Sequence, residues 1–148
     1  MLSAVQIDDN FLNDSIDWEF PIPIAYGPGR LNEIGKFCEK LNISNPLIVT
    51  DKGSKELPFI NRLASLLGDT SIKSKLFYGI SPNPRDDEIN AGCTAYRDGD
   101  HDGIIAIGGG SALDGAKAIG MTVNSGASLW DFEYRKPEPV LGSLDCFP

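Results

Sequence analysis

Histidine and paired cysteines are scarce in this chain. His101 is the single histidine, and Cys38, Cys93 and Cys146 are widely spaced, with no CxxC pair among them. Three isolated cysteines argue against a disulfide framework or a cysteine zinc site, so we expect small buried or half-buried thiols in a reducing cytoplasm. Because a single histidine cannot form a pair at the spacing of metal ligands, no metal-binding residue is assigned. His101, which lies among acids in a turn, is expected at the surface.

Long apolar runs and an excess of basic residues are also missing. The longest aliphatic stretches, such as residues 104–107, fall far short of the roughly 18–20 residues that span a bilayer. The N-terminus has neither a basic region nor an apolar region of the kind that signal peptides carry. Lysine and arginine number 13 against 21 aspartates and glutamates, a net charge of −8. We therefore expect a cytoplasmic protein without a membrane or nucleic-acid partner.

The chain has an ordinary length and composition for one folded domain. It has 148 residues, of which 41% are hydrophobic and 23% charged, close to the averages for globular domains. More than half of the net charge comes from five carboxylates within residues 1–20, a stretch without lysine or arginine. That stretch shows no clear periodicity and is predicted to be an acidic N-terminal arm or edge segment.

Hydrophobic periodicity after residue 20 alternates between strand and helix patterns. Short β-branched runs are typical of buried strands, and apolar residues three and four apart are typical of amphipathic helices. This order predicts a Rossmann-like layered α/β domain, with parallel strands joined by right-handed crossovers and flanking helices. The predicted strands are 22–26, 47–51, 75–78 and 103–107, and the predicted helices lie around 31–41, 59–67, 84–96 and 112–121.

Two helix starts carry recognisable signals. Asn83 is a good N-cap residue and Pro84 suits a first helical turn, with acids following at residues 86–88. Ser111, with Asp114 three residues later, matches a capping box. Asn83 and Ser111 are thus predicted to cap the helices that follow them.

The most informative motif is the run Gly108-Gly109-Gly110-Ser111 between a predicted strand and a predicted helix. Glycine lacks a Cβ atom and permits positive φ, so a ligand can approach the backbone closely. The N–H groups at the helix start can then bind a phosphate, aided by the helix dipole. The spacing is neither GxGxxG nor a P-loop. A tight, capped turn without a ligand is the alternative interpretation.

Residues 108–117, GGGSALDGAK, resemble the GGGSxxDxAK signature of the iron-containing (group III) alcohol dehydrogenases. Further landmarks match in the same order: YGPG at 26–29, LIVTD at 47–51 and PNP at 82–84. The resemblance covers about residues 20–140. It implies a dinucleotide-binding domain over 21–140, and residues 141–148 form a tail unlike the family.

The resemblance also implies roles for individual residues. The cofactor-binding residues would include Gly109, Gly110 and Ser111 at the pyrophosphate and Asp51 at the adenosine ribose. Because a carboxylate suits ribose hydroxyls and repels a 2′-phosphate, NAD is expected rather than NADP. The matching positions near the cofactor are also Asn83, Asp114 and Lys117. Each has a plainer interpretation, as a capping residue for Asp51, Asn83 and Asp114 and as a solvated side chain for Lys117.

The family pattern continues beyond what this chain contains. Family members are more than twice as long and add a helical domain whose aspartate and three histidines hold iron or zinc. The resemblance therefore implies the NAD-binding portion of a metal-dependent alcohol dehydrogenase. The full-length protein would transfer hydride between alcohols and aldehydes or ketones. This chain alone is expected to be inactive, and no catalytic residue is assigned.

Two other functions stay open at this point. One is a binding module that retains nucleotide affinity, or only an interaction role, without chemistry. The other is the cofactor half of an enzyme resembling glycerol dehydrogenase or dehydroquinate synthase. The expected partner is the dinucleotide, with an alcohol or aldehyde substrate only in the presence of the second domain. Assembly into a homo-oligomer is left open.

Overall fold

A computed structural model describes residues 16–19, by backbone only, together with residues 22–133 and 135–137. Most of the predicted acidic arm, the tail at 141–148 and Cys146 lie outside the described residues. The strands are β1 (Ile16–Glu19), β2 (Pro23–Tyr26), β3 (Pro46–Asp51), β4 (Lys75–Ile80) and β5 (Gly103–Ala106). The helices are α1 (Ile34–Lys40), α2 (Pro58–Asp69), α3 (Asp86–Asp98) and α4 (Gly110–Val123), with 3-10 turns at Arg30–Glu33 and Leu129–Phe132.

The core of the fold is a parallel three-stranded sheet in the order β4-β3-β5. β3 is central and is buried on both faces from residue 46 to residue 50, as expected for a strand of β-branched and apolar residues. β1 and β2 form a separate antiparallel pair. The predicted layered α/β fold is confirmed.

Helices cover both faces of the sheet. Successive residues of a strand point to opposite faces, so β3 contributes to two separate clusters. Leu47 and Val49 pack with Ile119 of α4 and the inner face of α3, whereas Ile48 packs with Leu63 of α2 and Cys38 of α1. The connection after β3 therefore runs over one face of the sheet, and the helix after β5 lies over the other.

This doubly wound arrangement creates a crevice. In such sheets, ligands bind outside the carboxyl ends of the strands where adjacent strands send their connections to opposite faces. β3 and β5 are adjacent and satisfy that condition. Asp51 ends β3, and the glycine run follows β5. Both predicted ligand-binding segments therefore flank the same crevice.

The inner faces of the helices are buried. Ile89, Cys93 and Tyr96 of α3 are buried. Burial raises the pKa of the Cys93 and Cys38 thiols, so both are protonated, buried thiols, as expected. Around α1, the inward positions are Ile34 and Cys38, while Leu41 is exposed. None of the described helices has the length and apolar character that crossing a bilayer requires.

The expectation that His101 lies at the surface is wrong. Its side chain is buried, and Nδ1 lies 2.8 Å from the carbonyl oxygen of Asn45. The neighbouring Asp102 accepts hydrogen bonds from the backbone N–H groups of Ser44 and Asn45. The acid Asp102 thus binds the loop before β3, and this tertiary contact covers the imidazole.

α3 begins later than predicted. Its first residue is Asp86 and its N-cap position is Arg85, so Asn83 does not cap it and Pro84 does not lie in its first turn. Glu88 stabilises the start of the helix instead, because its Oε2 atom accepts a hydrogen bond of 3.3 Å from the Arg85 N–H.

Glu88 joins three parts of the sheet edge although its side chain is only 8% exposed. Oε1 lies 2.6 Å from the Lys52 ammonium, just after β3. Oε2 accepts hydrogen bonds from the Ser81 N–H and hydroxyl, at 3.1 and 2.9 Å, just after β4. The Lys52 ammonium, followed by these Ser81 and Arg85 donors, lowers the pKa of Glu88 from 4.5 to about 2.

Replacing Glu88 by glutamine should make folding less sensitive to acid. A carboxyl group whose pKa is lowered by folding contributes fully to the free energy of unfolding above its ordinary value of 4.5, and the contribution is lost as the pH falls towards 2. Glu88→Gln should therefore lower stability by ~1–3 kcal/mol at pH 6, and the difference from wild type should shrink at pH 3. Urea unfolding at both pH values measures it.

The matched control for that comparison is Glu56→Gln, because the Glu56 side chain is 85% exposed and forms only a 3.6 Å ion pair with Lys55. The unfolding curves of this variant should match those of the wild type within experimental error at both pH values. A stability loss in Glu88→Gln that is equally large at pH 3 and pH 6 would contradict the role of the charge.

Candidate functional site

The glycine turn after β5 lies directly against the end of β3. The buried Thr50 hydroxyl donates a 2.7 Å hydrogen bond to the carbonyl oxygen of Ile107. Gly108 has a φ of +140°, and a Cβ atom there would lie 2.9 Å from Ala112, 3.1 Å from the Asp51 carboxylate and 3.3 Å from the Thr50 hydroxyl oxygen. A side chain at 108 is therefore excluded by conformation and by space.

The next two glycines are different. A Cβ atom built on Gly109 or Gly110 would meet nothing within 4 Å. Gly109 has φ −82° and ψ −173°, an extended conformation that any residue can adopt. Neither the packing nor the backbone of this chain therefore requires glycine at 109. The open space above these residues can admit a ligand to the backbone.

The start of α4 is open as well. Its N-cap residue is Gly109, no side chain caps it, and its first turn has no acid. The predicted capping box is wrong, because the Ser111 hydroxyl donates a 2.6 Å hydrogen bond to the carbonyl oxygen of Pro82. The first N–H groups of an α-helix have no intrahelical partner and carry partial positive charge. This helix end therefore attracts anions.

Asp51 is fixed by the loop that follows it. Oδ1 accepts hydrogen bonds from the N–H groups of Gly53 and Ser54 at 2.9 and 3.0 Å, and Oδ2 accepts one from the Ser54 hydroxyl at 2.8 Å. The Ser54 hydroxyl, followed by these N–H groups, lowers the pKa of Asp51. Asp51 thus caps a turn rather than the helix α2, whose N-cap residue is Leu57.

The other predicted residues lie farther from the crevice. Asn83 is exposed in the loop after β4, and its carbonyl oxygen accepts a 3.0 Å hydrogen bond from the Ser81 hydroxyl. Lys117 and Asp114 lie on the outer surface of α4, 72% and 71% exposed, with their charged groups 3.7 Å apart. The glycine turn, Asp51 and the Pro82 loop are connected by hydrogen bonds and close contacts, whereas Asp114 and Lys117 contact each other.

Sequence reasoning missed two residues of this edge. Glu88 holds the loops after β3 and β4, and Thr50 holds the glycine turn. Thr50 could have been suspected, because it is a hydroxyl residue directly before Asp51 at a strand end. The sequence marks Glu88 only as an acid that favours a helix start, because its contacts depend on segments that are distant in the chain.

The described residues do not fit a metal ion. Among residues 22–133 and 135–137, no three side chains of His, Cys, Asp or Glu lie close enough together to hold one. The described part of the chain therefore offers open space over Gly109 and Gly110 and a fixed carboxylate, but no metal centre.

Comparisons with known proteins agree with this architecture. The chain is 33% identical over 116 residues to choline dehydrogenase of Bacillus subtilis, covering 78% of this chain and 29% of that protein. It is also 33% identical over 118 residues to NADH-dependent butanol dehydrogenase A of Clostridium acetobutylicum, with coverages of 79% and 30%. The chain thus spans less than a third of the length of these relatives.

A solved structure shows the same similarity. The chain superposes on the sulfoacetaldehyde reductase of Bifidobacterium kashiwanohense in complex with NAD+ with a TM-score of 0.63 and 30% identity, over 73% of this chain and 28% of that one. The family model described as iron-containing alcohol dehydrogenase matches residues 21–145. With this match over most of its length, the chain belongs to the iron-containing alcohol dehydrogenase family.

Proposed function

We propose that the crevice binds NAD, with its pyrophosphate at Gly109, Gly110 and Ser111 and its adenosine ribose at Asp51. The observation that carries the proposal is the open space above Gly109 and Gly110. A Cβ atom at either position would meet no protein atom, so a ligand that needs this space accounts for the missing side chains.

The start of α4 supplies the attraction for the pyrophosphate. Its N–H groups are uncapped and no acid lies in the first turn, so a doubly charged diphosphate can accept hydrogen bonds there at the positive end of the helix. The hydrogen bond from Ser111 to Pro82 keeps the Ser111 hydroxyl away from the helix end. The backbone of Ser111, rather than its side chain, would thus bind phosphate.

Asp51 suits a ribose. Its lowered pKa keeps it ionised at neutral pH, and each carboxylate oxygen has about two acceptor positions. Oδ2 accepts one hydrogen bond from the Ser54 hydroxyl and faces Gly108. A ribose hydroxyl could donate to its remaining acceptor position, whereas a 2′-phosphate would be repelled.

The remaining residues would act at the rim. Asn83, exposed in the same loop as the Pro82 carbonyl that Ser111 binds, could donate from its amide to the adenosine. Asp114 and Lys117 would contribute charge one turn farther along α4, with the Lys117 ammonium released from its 3.7 Å contact. The roles of these three residues are inferred from their positions in the motifs that this chain shares with the family.

The function proposed for the whole protein is hydride transfer between an alcohol and an aldehyde or ketone. One relative is named as NADH-dependent and one similar structure is a complex with NAD+, which supports NAD as the cofactor. When bound, the dinucleotide supplies the hydride chemistry. This chain binds and orients it, and iron or zinc would require ligands from outside the described residues.

A second candidate is nucleotide binding without turnover by this chain. The absence of a metal-ligand cluster from the described residues favours it. NAD titration by calorimetry, followed by an assay with NADH, an aldehyde and Fe²⁺ or Zn²⁺, separates the two. Binding without NADH consumption supports the second candidate for the isolated chain, and turnover would contradict it.

Gly109→Ala should weaken NAD binding without disturbing the fold. The extended backbone tolerates alanine and the new Cβ meets no protein atom, but it would occupy the space of the pyrophosphate. We expect the Kd for NAD to rise about tenfold, as for the loss of one hydrogen bond to a charged group. Calorimetry and thermal unfolding measure both quantities.

The matched control is Gly68→Ala in α2, where an added Cβ also meets nothing within 4 Å. This variant should bind NAD like the wild type. If Gly109→Ala binds NAD as tightly as Gly68→Ala, the pyrophosphate does not lie at this turn.

Asp51 should set a preference for NAD over NADP. We expect the wild-type Kd for NADP to exceed that for NAD by at least about tenfold, because the ionised carboxylate repels a 2′-phosphate. Asp51→Asn should reduce that ratio, and the exposed change Asp69→Asn at the end of α2 should not. Equal affinity of the wild type for both dinucleotides would overturn the assignment.

A further inference from the structure

Lys52 is a cation at the rim of the crevice that takes no part in the proposed binding of NAD. It directly follows Asp51, and consecutive Cα atoms are about 3.8 Å apart. Its side chain is 57% exposed and has a flexible four-carbon stem. A lysine in this position could reach a group attached to a ribose that Asp51 holds.

The Lys52 ammonium is already occupied. It lies 2.6 Å from Oε1 of Glu88, whose side chain is only 8% exposed. Glu88 itself cannot easily turn away, because its other oxygen accepts hydrogen bonds from Ser81 and Arg85. A buried carboxylate with several donors therefore holds an exposed ammonium in one place.

We propose that Glu88 is a specificity-determining residue, which keeps the Lys52 ammonium from a ribose 2′-phosphate and so favours NAD over NADP. The inference rests on the proposed function, because it assumes that Asp51 binds the ribose. It adds a second element to the preference. Asp51 repels the 2′-phosphate, and Glu88 withholds the cation of the neighbouring Lys52, which could otherwise attract it.

The next lysine along the loop is also engaged. Lys55 places its ammonium 4.9 Å from the centroid of the Tyr78 ring and 3.6 Å from the Glu56 carboxylate. Glu56 therefore offers a matched comparison with Glu88. Both carboxylates pair with a lysine of the loop after β3, but only Glu88 is buried and bound to the loop after β4.

The test compares the ratio of the Kd values for NADP and NAD, measured by calorimetry, in four variants. Glu88→Gln should lower the ratio about fivefold, as expected when one partly exposed cation becomes free to pair with a phosphate. Glu56→Gln should change it less than about twofold. Lys52→Met should leave it near the wild-type value, because that ammonium is withheld from the ligand.

The double variant Glu88→Gln/Lys52→Met should return the ratio to the wild-type value. A general loosening of the site would alter both affinities together and leave the ratio unchanged, so the ratio isolates specificity from structure. Thermal unfolding of each variant checks that it is folded. If the glutamine variant does not fold, Glu88→Asn takes its place, because it also removes the carboxylate charge that holds Lys52.

Any of three results would overturn the inference. The ratio of the Kd values for NADP and NAD could stay at the wild-type value in Glu88→Gln, fall by the same factor in Glu56→Gln, or remain low in the double variant. If the wild type binds NAD but the variants give any of these results, only the role of Glu88 is contradicted. If the wild type binds neither dinucleotide, both the role of Glu88 and the proposed function are contradicted.

Discussion

The carboxylate of Glu88 is the contact on which the ligand edge of this fold depends. It is buried, yet it stays ionised because Lys52, Ser81 and Arg85 all donate to it. A buried charge is tolerated only when it is paired and hydrogen-bonded, so these donors and the carboxylate require one another. Through them, the loops after β3 and β4 and the start of α3 take fixed positions. The Ser111–Pro82 hydrogen bond then extends the same connection to the start of α4.

The burial of β3 on both faces decides where a ligand can bind. Its alternating side chains need helices on both sides of the sheet, and this places the connections after β3 and β5 on opposite faces. The crevice follows from that geometry rather than from any single residue. The Thr50–Ile107 hydrogen bond holds the glycine turn against the end of β3, and Gly108 lets the backbone pass beside Asp51. The two following glycines leave open space beside the backbone, which is the basis of the proposed NAD site.

Much of the fold could be predicted from local patterns. The four strands after residue 20 and the four helices were anticipated because burial on a sheet or on a helix face leaves a periodic trace in the sequence. Two of the errors fall at helix starts. Asn83 and Ser111 have the chemistry of N-cap residues, but α3 begins at Asp86, and the Ser111 hydroxyl binds the Pro82 carbonyl. The preference of Ser111 was overridden by a partner that is distant along the chain. His101 is buried for the same kind of reason, because its imidazole contacts Asn45, which is also distant in sequence.

The sequence by itself determined the fold class, the family and the position of a glycine turn at the end of a strand. These properties depend on periodicity and on the order of short motifs, which are local. Only the tertiary structure decided that Asp51 and Gly108 are neighbours, that Gly109 and Gly110 face open space, and that Glu88 holds Lys52. Each of these depends on how parallel strands align and which faces the helices cover. Such contacts join residues that are far apart in the chain, so the local spacing of residues does not predict them.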